Sequence, residues 1–269
     1  MRYRALFFIA LIVAAAVSTA SGIASQRAAA RRTTANTFAP PPILMYHRVD
    51  RTSPDDKISR DLTVTPSQFK EQLAYLKAYR IAAISMADFE DRLAHGRPLN
   101  RAVVLTFDDG YADQYWYAVP LLRKFRDDAT FYIITGELDK PRHLTWSELR
   151  TMARDHMDIA AHGVKHDDLA LMSDAQQRYQ IGKSIDILRG ALHTPIESYA
   201  YPSGRFNLET LAIVRSERIP LAVTTDRTNV IPPENSLELP RIRVHGGWRL
   251  RDFEKSIQGA LVTRHVVLR

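Results

Sequence analysis

Short apolar runs alternate with stretches of helical periodicity along most of this chain. The strand-like runs are Ile43 to Tyr46, Ala102 to Phe107, Phe131 to Ile134, Asp158 to Ala161, Ser198 to Tyr201 and Leu221 to Thr224. The helical stretches between them lie around Pro120 to Lys124, Trp146 to Arg154, Ser173 to Leu192 and Leu208 to Glu217. Near-continuous apolar strands separated by helices are typical of a parallel sheet that is covered on both faces.

The number of these repeats favours a closed sheet over an open one. We predict an α/β fold in which a distorted (β/α) barrel of about seven parallel strands forms a single domain over residues 43 to 269.

Two helix starts are marked by side-chain caps. Thr65 to Gln68 is a capping box with proline at the first helical position. Ser85 is expected to cap the next helix, with Phe89 and Leu93 on its buried face.

The first residues of the chain are predicted to be a targeting element. Arg2 and Arg4 precede Ala5 to Gln26, a stretch without charge whose apolar part is followed by small residues. This order predicts that residues 1–26 are a cleaved signal peptide or an uncleaved N-terminal membrane anchor. Residues 27–42 end in three prolines and are expected to form a linker with a stiff last segment. We therefore expect an exported protein that is periplasmic, anchored to the cell envelope or extracellular.

Composition narrows the chemistry that is open to the protein. The 269 residues include no cysteine, which excludes disulfides, thiolate catalysis and any zinc site built from cysteine. A metal ion must then be held by histidine and carboxylate side chains. The net charge is +7, but several arginines lie before residue 43 and the remainder has no dense basic tract. We expect attraction to an anionic polymer, no nucleic-acid partner, and a monomer.

Reactive side chains directly follow four of the predicted strands. They are His47, the pair Asp108 and Asp109, the pair His162 and His166, and the segment Tyr201 to Gly204. Because the carboxyl ends of strands in a parallel barrel meet at one mouth, these residues are expected to lie close together. Two neutral imidazoles and one carboxylate on a divalent ion leave positions for water and a carbonyl oxygen, which suits hydrolysis. Adjacent carboxylates of an extended chain point apart, so one can hold metal while the other stays free as a base.

Two motifs resemble those of the polysaccharide deacetylase family, carbohydrate esterase family 4. They are Thr106 to Gly110 and, about fifty residues later, His162 to His166. Met45 to Val49 and Leu239 to Val244 further resemble the branch that deacetylates poly-β-1,6-N-acetylglucosamine, in which a catalytic motif is permuted to the N-terminus. The resemblance covers essentially residue 43 onward. It implies a distorted (β/α) barrel that removes acetyl groups from an acetylated polysaccharide.

The resemblance also implies a role for each site residue. Asp109, His162 and His166 would hold a divalent metal, with zinc as the first choice and cobalt or nickel as alternatives. Asp108 would be the general base and His47 the acid that protonates the departing amine, while metal-bound water attacks the acetamide carbonyl. Ser203, with Tyr201 and Pro202, would form the oxyanion and substrate contacts, through the backbone N–H of Ser203.

Three positions depart from the family pattern. Gly163 stands where the family usually has serine or threonine, Ala200 stands where most members have the arginine that orients the base, and Ser203 stands where the third motif usually has tyrosine. If the segment before Val244 is extended, Arg241 and Arg243 share one face and Ile242 takes the other. We therefore hypothesise that Arg241 or Arg243 orients the base from this neighbouring strand.

Several alternatives remain open at the level of the sequence. The substrate is peptidoglycan, chitin or xylan in one alternative, and in another the chain is a catalytically weak homologue that binds polysaccharide. His245 and His265 are rivals of His47 for the acid role. Tyr111, Tyr201 and Trp248 are candidates for a platform on which sugar rings stack.

Overall fold

Parallel strands form the centre of the structure, a computed structural model that describes residues 41–52, 54–226 and 236–266. The strands are β1 (Ile43–Tyr46), β2 (Arg48–Val49), β3 (Thr63–Val64), β4 (Ala82–Ile84), β5 (Ala102–Phe107), β6 (Thr130–Ile133), β7 (Asp158–Ala161), β8 (Ser198–Ala200), β9 (Leu221–Val223) and β10 (Ile242–Arg243). The helices are α1 (Lys57–Leu62), α2 (Pro66–Ala78), α3 (Met86–Ala94), α4 (Val119–Phe125), α5 (Trp146–Arg154), α6 (Asp174–Leu192), α7 (Leu208–Ser216) and α8 (Leu250–Val266).

The main sheet follows the order β10-β1-β5-β6-β7-β8-β9, and every strand pair in it is parallel. β4 pairs with the first half of β5, from Ala102 to Val104, on the edge that β6 uses further along. A separate short pair joins β2 to β3. The predicted (β/α) barrel of about seven parallel strands is therefore confirmed, with β4 as an extra strand beside β5.

One segment connects the two ends of this sheet. Leu239 forms a parallel bridge with Val223 at the end of β9, and its N–H donates to the carbonyl of Ala222 at 2.9 Å. Three residues later, Ile242 in β10 pairs with Leu44 of β1. The segment from residue 239 to residue 243 thus lies between the first and last strands of the curled sheet, and we call it the closing segment.

The strands are buried on both faces, as their unbroken apolar runs predicted. All six residues of β5 are buried, and alternate ones enter two hydrophobic clusters. Val104 contributes to a cluster that also contains residues from β1, β6, β7, β8 and β9. Phe107 lies in the other cluster, where its ring stacks between Tyr46 and Phe131 at centroid distances of 5.1 and 5.0 Å. Removing one such buried ring costs about 3–5 kcal/mol of folding free energy.

Both predicted helix caps are present. The hydroxyl of Thr65 accepts a hydrogen bond from the N–H of Gln68, whose side chain accepts from the N–H of Thr65 at 2.7 Å. The hydroxyl of Ser85 caps α3 by accepting a hydrogen bond from the N–H of Asp88 at 3.1 Å. The prediction that Leu93 is buried is wrong: its side chain is 40% exposed, because the last turn of α3 lies outside the cluster that Phe89 enters.

Predictions for the N-terminus are not addressed by the described residues. The signal peptide or anchor at residues 1–26 and the linker up to residue 40 lie outside them. In the part of the chain that the structure describes, none of the helices combines the length and apolar character needed to cross a bilayer.

The stability of the fold is predicted to depend on pH through Asp127, in the loop between α4 and β6. Burial raises the pKa of Asp127 to about 6, against the opposing charge of Lys77. The neutral form is favoured on folding, so its stabilising contribution is present below the unfolded pKa of ~3.9 and is lost as the pH rises through about 6. Asp127→Asn should therefore raise the melting temperature at pH 8 but leave it unchanged at pH 3.5. The exposed Asp186→Asn is the control, and an Asp127→Asn effect equal at both pH values would contradict the prediction.

Candidate metal centre

The carboxyl ends of the strands place the predicted reactive residues at one mouth of the barrel. β1 ends one residue before His47, β5 ends one residue before Asp108, and β7 ends one residue before His162. These three strands run in the same direction within one sheet. Residues far apart in sequence therefore meet because each follows a strand of the same barrel.

Asp109, His162 and His166 form a group that is suited to holding a metal ion. One ligand atom from each residue lies within 4.8 Å of the other two. Asp109 Oδ1 is 3.5 Å from His162 Nε2 and 3.9 Å from His166 Nε2. Ligand atoms of a tetrahedral ion with bonds of ~2.1 Å are about 3.4 Å apart, close to the first of these distances. Asp109 Oδ1 is buried and has no hydrogen-bond partner among the described residues, so the donor set fits a divalent cation.

The adjacent carboxylates are separated by a sharp change in backbone direction. Asp109 has a φ of 75° and Gly110 a φ of 69°, so two successive residues adopt the left-handed conformation. The Asp109 side chain consequently points to the histidines, whereas the Asp108 side chain is held by an arginine inside the barrel. The two roles are thus divided, but by a turn and not by the alternation of an extended strand that we had assumed.

His162 is the buried ligand of the group. Its Nδ1 lies 2.7 Å from the carbonyl oxygen of Ala200, and because a carbonyl can only accept, Nδ1 carries the proton. Nε2 is left with its lone pair facing Asp109, the arrangement typical of metal-bound histidines. Burial alone would lower the pKa of His162, but Asp109 and the charge of Asp108 raise it overall. The same negative charges favour a bound cation.

His166 is the accessible ligand. Its side chain is 42% exposed, whereas that of His162 is 2% exposed. The two rings lie edge to face, with centroids 5.1 Å apart. The group is therefore closed by protein on the His162 side and open on the His166 side, where a substrate can approach.

Asp108 is held by Arg241 through a two-pronged ion pair. Arg241 Nη1 donates to Oδ1 at 2.6 Å and Nη2 donates to Oδ2 at 2.7 Å, and both side chains are almost fully buried. Arg241 also donates to the hydroxyl of Thr106 and to the carbonyl of Thr224. Burial alone would raise the pKa of Asp108, but the charge and hydrogen bonds of Arg241 outweigh it and lower the pKa well below its usual range. Asp108 is therefore ionised and fixed in orientation.

This pair decides between the two arginines that the sequence offered. Both oxygens of Asp108 are bonded to Arg241, and no hydrogen bond links Arg243 to Asp108 in the described residues. Arg243 is only partly buried and pairs with Met45, and its positive charge lowers the pKa of His47. The hypothesis that Arg243 orients Asp108 is therefore wrong, and Arg241 is the arginine that orients it.

His47 lies beside the acidic pair with a ring nitrogen that makes no hydrogen bond. Its Nδ1 is buried and has no partner among the described residues. Burial lowers the pKa of His47, while the charges of Asp108 and Asp109 oppose this shift. The rival His245 has its Nδ1 2.9 Å from Asp61, and His265 lies in α8. Of the three histidines considered for the acid role, His47 is thus the one that interacts with the charges of Asp108 and Asp109 among the described residues.

Gln114 is a site residue that sequence reasoning missed. It begins a π-helical turn, Gln114–Ala118, and is completely buried. Its amide nitrogen donates to the carbonyl of His47 at 2.7 Å and to the carbonyl of Asp108 at 2.6 Å. One side chain thus ties together the ends of β1 and β5. The sequence offered no signal beyond a polar residue placed six positions after Asp108.

Tyr201, which follows β8, does not lie where a residue that contacts substrate would lie. Tyr201 is completely buried and its hydroxyl donates to the carbonyl of Leu237 at 2.9 Å. Pro202 is also buried. The interpretation of the Tyr201 side chain as a substrate contact or stacking surface is therefore wrong, because it belongs to the core. Ser203 is exposed in a left-handed turn with a φ of 54°, and its N–H remains the predicted oxyanion donor.

The other two stacking candidates are partly accessible. Tyr111 stacks on His143 at a centroid distance of 5.1 Å, with the guanidinium of Arg48 over its ring. Trp248 packs against the larger core cluster and lies 5.2 Å from the ring of His245. Their role in sugar stacking stays a prediction.

Comparison with known proteins identifies what this arrangement is similar to. A family model described as polysaccharide deacetylase matches residues 95–221, which include Asp108, Asp109 and both histidines but neither His47 nor Arg241. Among solved structures, the Streptococcus pyogenes deacetylase PplD in complex with acetate is 32% identical, with a TM-score of 0.74. That match covers 81% of this chain and 97% of the other.

Two further relatives extend the similarity beyond the family model. The Bacillus subtilis protein YxkH is 28% identical over 207 residues, which cover 77% of this chain and 72% of the relative. A poly-β-1,6-N-acetyl-D-glucosamine N-deacetylase of Staphylococcus aureus is 25% identical over 224 residues, covering 75% of this chain and 77% of the relative. The similarity therefore extends over most of the folded part of the chain.

The metal centre predicts binding of one divalent ion per chain. Asp109→Asn keeps a residue that tolerates a positive φ but replaces the charged ligand with a neutral one. Loss of a residue that only hydrogen-bonds to a metal ligand typically lowers metal affinity by ~10–100-fold, so loss of a ligand should lower Zn²⁺ affinity by at least this much. Competition titration against a chromophoric chelator measures this change. His95→Ala, at an exposed histidine of α3's C-terminus, is the control and should bind like the wild type. Equal affinity of Asp109→Asn and wild type would exclude this site.

Proposed function

The chain belongs to the polysaccharide deacetylase family, and on that premise we propose that it is a divalent-metal-dependent N-deacetylase of poly-β-1,6-N-acetylglucosamine. Family membership makes it a hydrolase that acts on an acetylated polysaccharide. The choice of polymer is supported by the Staphylococcus aureus relative, which bears that substrate in its name and matches 75% of this chain. It is supported also by the resemblance of Met45 to Val49 and of Leu239 to Val244, which contain His47 and Arg241, to that branch of the family.

One observation carries the proposal: a carboxylate fixed as a base lies next to three residues that can hold a metal. Asp108, bonded at both oxygens by Arg241, directly precedes Asp109, whose Oδ1 faces His162 and His166. A divalent ion held there would polarise the acetamide carbonyl and lower the pKa of a coordinated water. In metal-assisted amide hydrolysis a base and a metal ion act on the same water, and here the base, Asp108, directly precedes the ligand Asp109.

Asp108 accepts the proton from the attacking water. Its lowered pKa keeps it ionised at neutral pH and thus able to accept a proton, but the same shift makes it a weaker base than a free carboxylate. Each carboxylate oxygen has two lone-pair directions, and Arg241 occupies one at each oxygen. The remaining lone pairs are available to water. Arg241 therefore orients the base without blocking it.

His47 supplies the proton that the departing amine needs. As the bond between the carbonyl carbon and nitrogen breaks, the nitrogen takes a proton from the imidazole, and the products are acetate and a glucosamine amine. Burial lowers the pKa of His47, while the charges of Asp108 and Asp109 favour the protonated form that donates. The proton that Asp108 takes from water is released to solvent, and His47 regains one from solvent, so no net proton is lost from the two groups. The N–H of Ser203 is proposed to donate to the carbonyl oxygen as it gains negative charge. Its left-handed turn directly follows β8, whose last residue bonds His162.

The alternative of a catalytically weak polysaccharide-binding homologue is not favoured. Its motivation was the absence of serine or threonine at position 163, of arginine at position 200 and of tyrosine at position 203, and Arg241 replaces the arginine beside Asp108. Export to the periplasm, the envelope or the medium is proposed from residues 1–26, in keeping with a polymer substrate outside the cytoplasm.

Acetate release from a panel of defined glycans tests the proposed function. Metal-loaded protein is expected to release acetate from β-1,6-linked N-acetylglucosamine oligomers faster than from chitin oligomers, peptidoglycan or acetylated xylan. Asp108→Asn should lower turnover by about 10²–10⁴-fold, the usual contribution of a general base. Dialysis against a chelator should abolish release, and added Zn²⁺ should restore it.

The panel also separates the alternatives. Faster release from chitin, peptidoglycan or xylan would reject the proposed polymer and keep the deacetylase. Binding of the oligomers without turnover above the Asp108→Asn control would reject the enzyme. Full activity after removal of all metal would reject the metal dependence.

Arg241 is predicted to be needed for orientation of the base. Arg241→Lys keeps the charge but loses the two-pronged geometry, so kcat should fall towards that of Asp108→Asn while Arg243→Ala stays near wild type. Removing Arg241 entirely leaves a buried carboxylate unpaired and should cost about 3–5 kcal/mol of folding free energy. Adding Asp108→Asn to Arg241→Ala should recover part of this loss in urea unfolding. Full turnover by Arg241→Lys would contradict the assignment.

A further inference from the structure

The loop that carries His166 is attached to helix α6 by Gln180. The side-chain oxygen of Gln180 accepts hydrogen bonds from the N–H groups of Val164 and Lys165, at 3.0 and 2.8 Å. Its amide nitrogen donates to Asp167 Oδ2 at 3.3 Å. Gln180 is only 5% exposed. One buried amide thus contacts the residues on both sides of His166.

Two other backbone hydrogen bonds hold this loop, both before His166: the N–H groups of Thr135 and Gly136 donate to the carbonyls of Gly163 and Val164 at 3.0 and 2.9 Å. The ring of His166 is exposed, and in the described part of the chain no hydrogen bond holds it. Gly163 has a φ of +84°, and a Cβ atom there would lie 2.9 Å from the carbonyl of Lys165. A side chain at position 163 is therefore excluded by both strain and space, and no side chain at this position can brace the loop from within.

Two successive N–H groups that point to one acceptor form a concave backbone arrangement that favours a negatively charged or carbonyl-type oxygen. Gln180 supplies that oxygen from a nineteen-residue helix, a rigid element whose position is set by its own core contacts. The loop conformation at Val164 and Lys165 determines where the next residue, His166, places its Nε2. That atom lies 3.9 Å from Asp109 Oδ1.

We propose that Gln180 is a positioning residue of the metal centre, which holds the backbone before His166 so that this histidine can share an ion with Asp109 and His162. The inference rests on the metal dependence of the proposed function. It assigns to α6 a part in metal binding that the ligand residues alone do not suggest. Loss of the acceptor oxygen should release the loop and weaken the ion, while the ligands themselves remain present.

The same helix provides a matched control. Gln177 lies one turn earlier and is also completely buried. Its side chain bonds the carbonyl of Met172 and the hydroxyl of Thr210, and in the described residues it makes no hydrogen bond to the His166 loop. Gln177→Leu and Gln180→Leu are thus the same chemical change in the same helix. Only the second removes the acceptor that the loop uses.

Zn²⁺ affinity, measured by competition titration of the full-length protein, tests the proposal. Gln180→Leu should bind Zn²⁺ about 10–100-fold more weakly, the usual effect of losing a contact outside the ligand shell. Gln180→Glu keeps both acceptor bonds but replaces the donor to Asp167 with a second carboxylate, so the double variant Gln180→Glu/Asp167→Asn, in which the Asn amide can donate instead, should retain close to wild-type affinity. Gln177→Leu should also bind like the wild type, even where its melting temperature falls. The visible spectrum of the Co²⁺ form should change in Gln180→Leu alone.

The outcomes are distinct. Wild-type affinity in Gln180→Leu, or equal weakening in Gln177→Leu, would overturn the role of Gln180. Absence of Zn²⁺ binding by the wild type would overturn the metal centre and this inference together, whereas tight binding without acetate release would overturn only the proposed function. If Gln180→Leu does not fold, Gln180→Asn, which is one methylene shorter, must show the same loss of affinity.

Discussion

The ion pair between Arg241 and Asp108 is the interaction on which both the fold and the site depend. Removing charges from water costs several kcal/mol per ion, so a buried pair is tolerated only when its hydrogen bonds are satisfied. Arg241 meets this condition with bonds to Asp108, to Thr106 of β5 and to Thr224 after β9. The closing segment is therefore fixed in one register between β9 and β1. The hydrogen bonds of Arg241 therefore both hold the closing segment between β9 and β1 and orient Asp108.

The catalytic constellation is built from backbone geometry as much as from side chains. A left-handed turn at Asp109 and Gly110 directs one carboxylate outward, while its neighbour stays inside the barrel. Gln114 ties the carbonyls of His47 and Asp108, which fixes the spacing of the two strand ends that carry the proposed acid and base. Proton transfer depends on such spacing, since donor and acceptor must be within hydrogen-bond reach of the reacting atoms.

The metal group combines a rigid side with an open side. His162 is buried and its tautomer is set by the carbonyl of Ala200. His166 is exposed, on a loop held from α6 by Gln180. A polymer cannot enter a closed cavity, so at least one ligand of a polysaccharide deacetylase must face solvent. Because His166 is exposed, its loop lacks core contacts at that residue and is held instead by hydrogen bonds to α6.

The sequence by itself determined most strands of the main sheet and the helices between them, the caps at Thr65 and Ser85, and the convergence of reactive residues on one mouth. These features follow from local periodicity and from the direction of parallel strands. Only the tertiary structure decided which arginine meets Asp108, since position 241 and position 108 are joined by barrel closure and by no local pattern. It also placed Tyr201 in the core and revealed Gln114 and Gln180. Polar residues that bond backbone groups of a distant loop leave no periodic signal, so their partners appear only when the chain is folded.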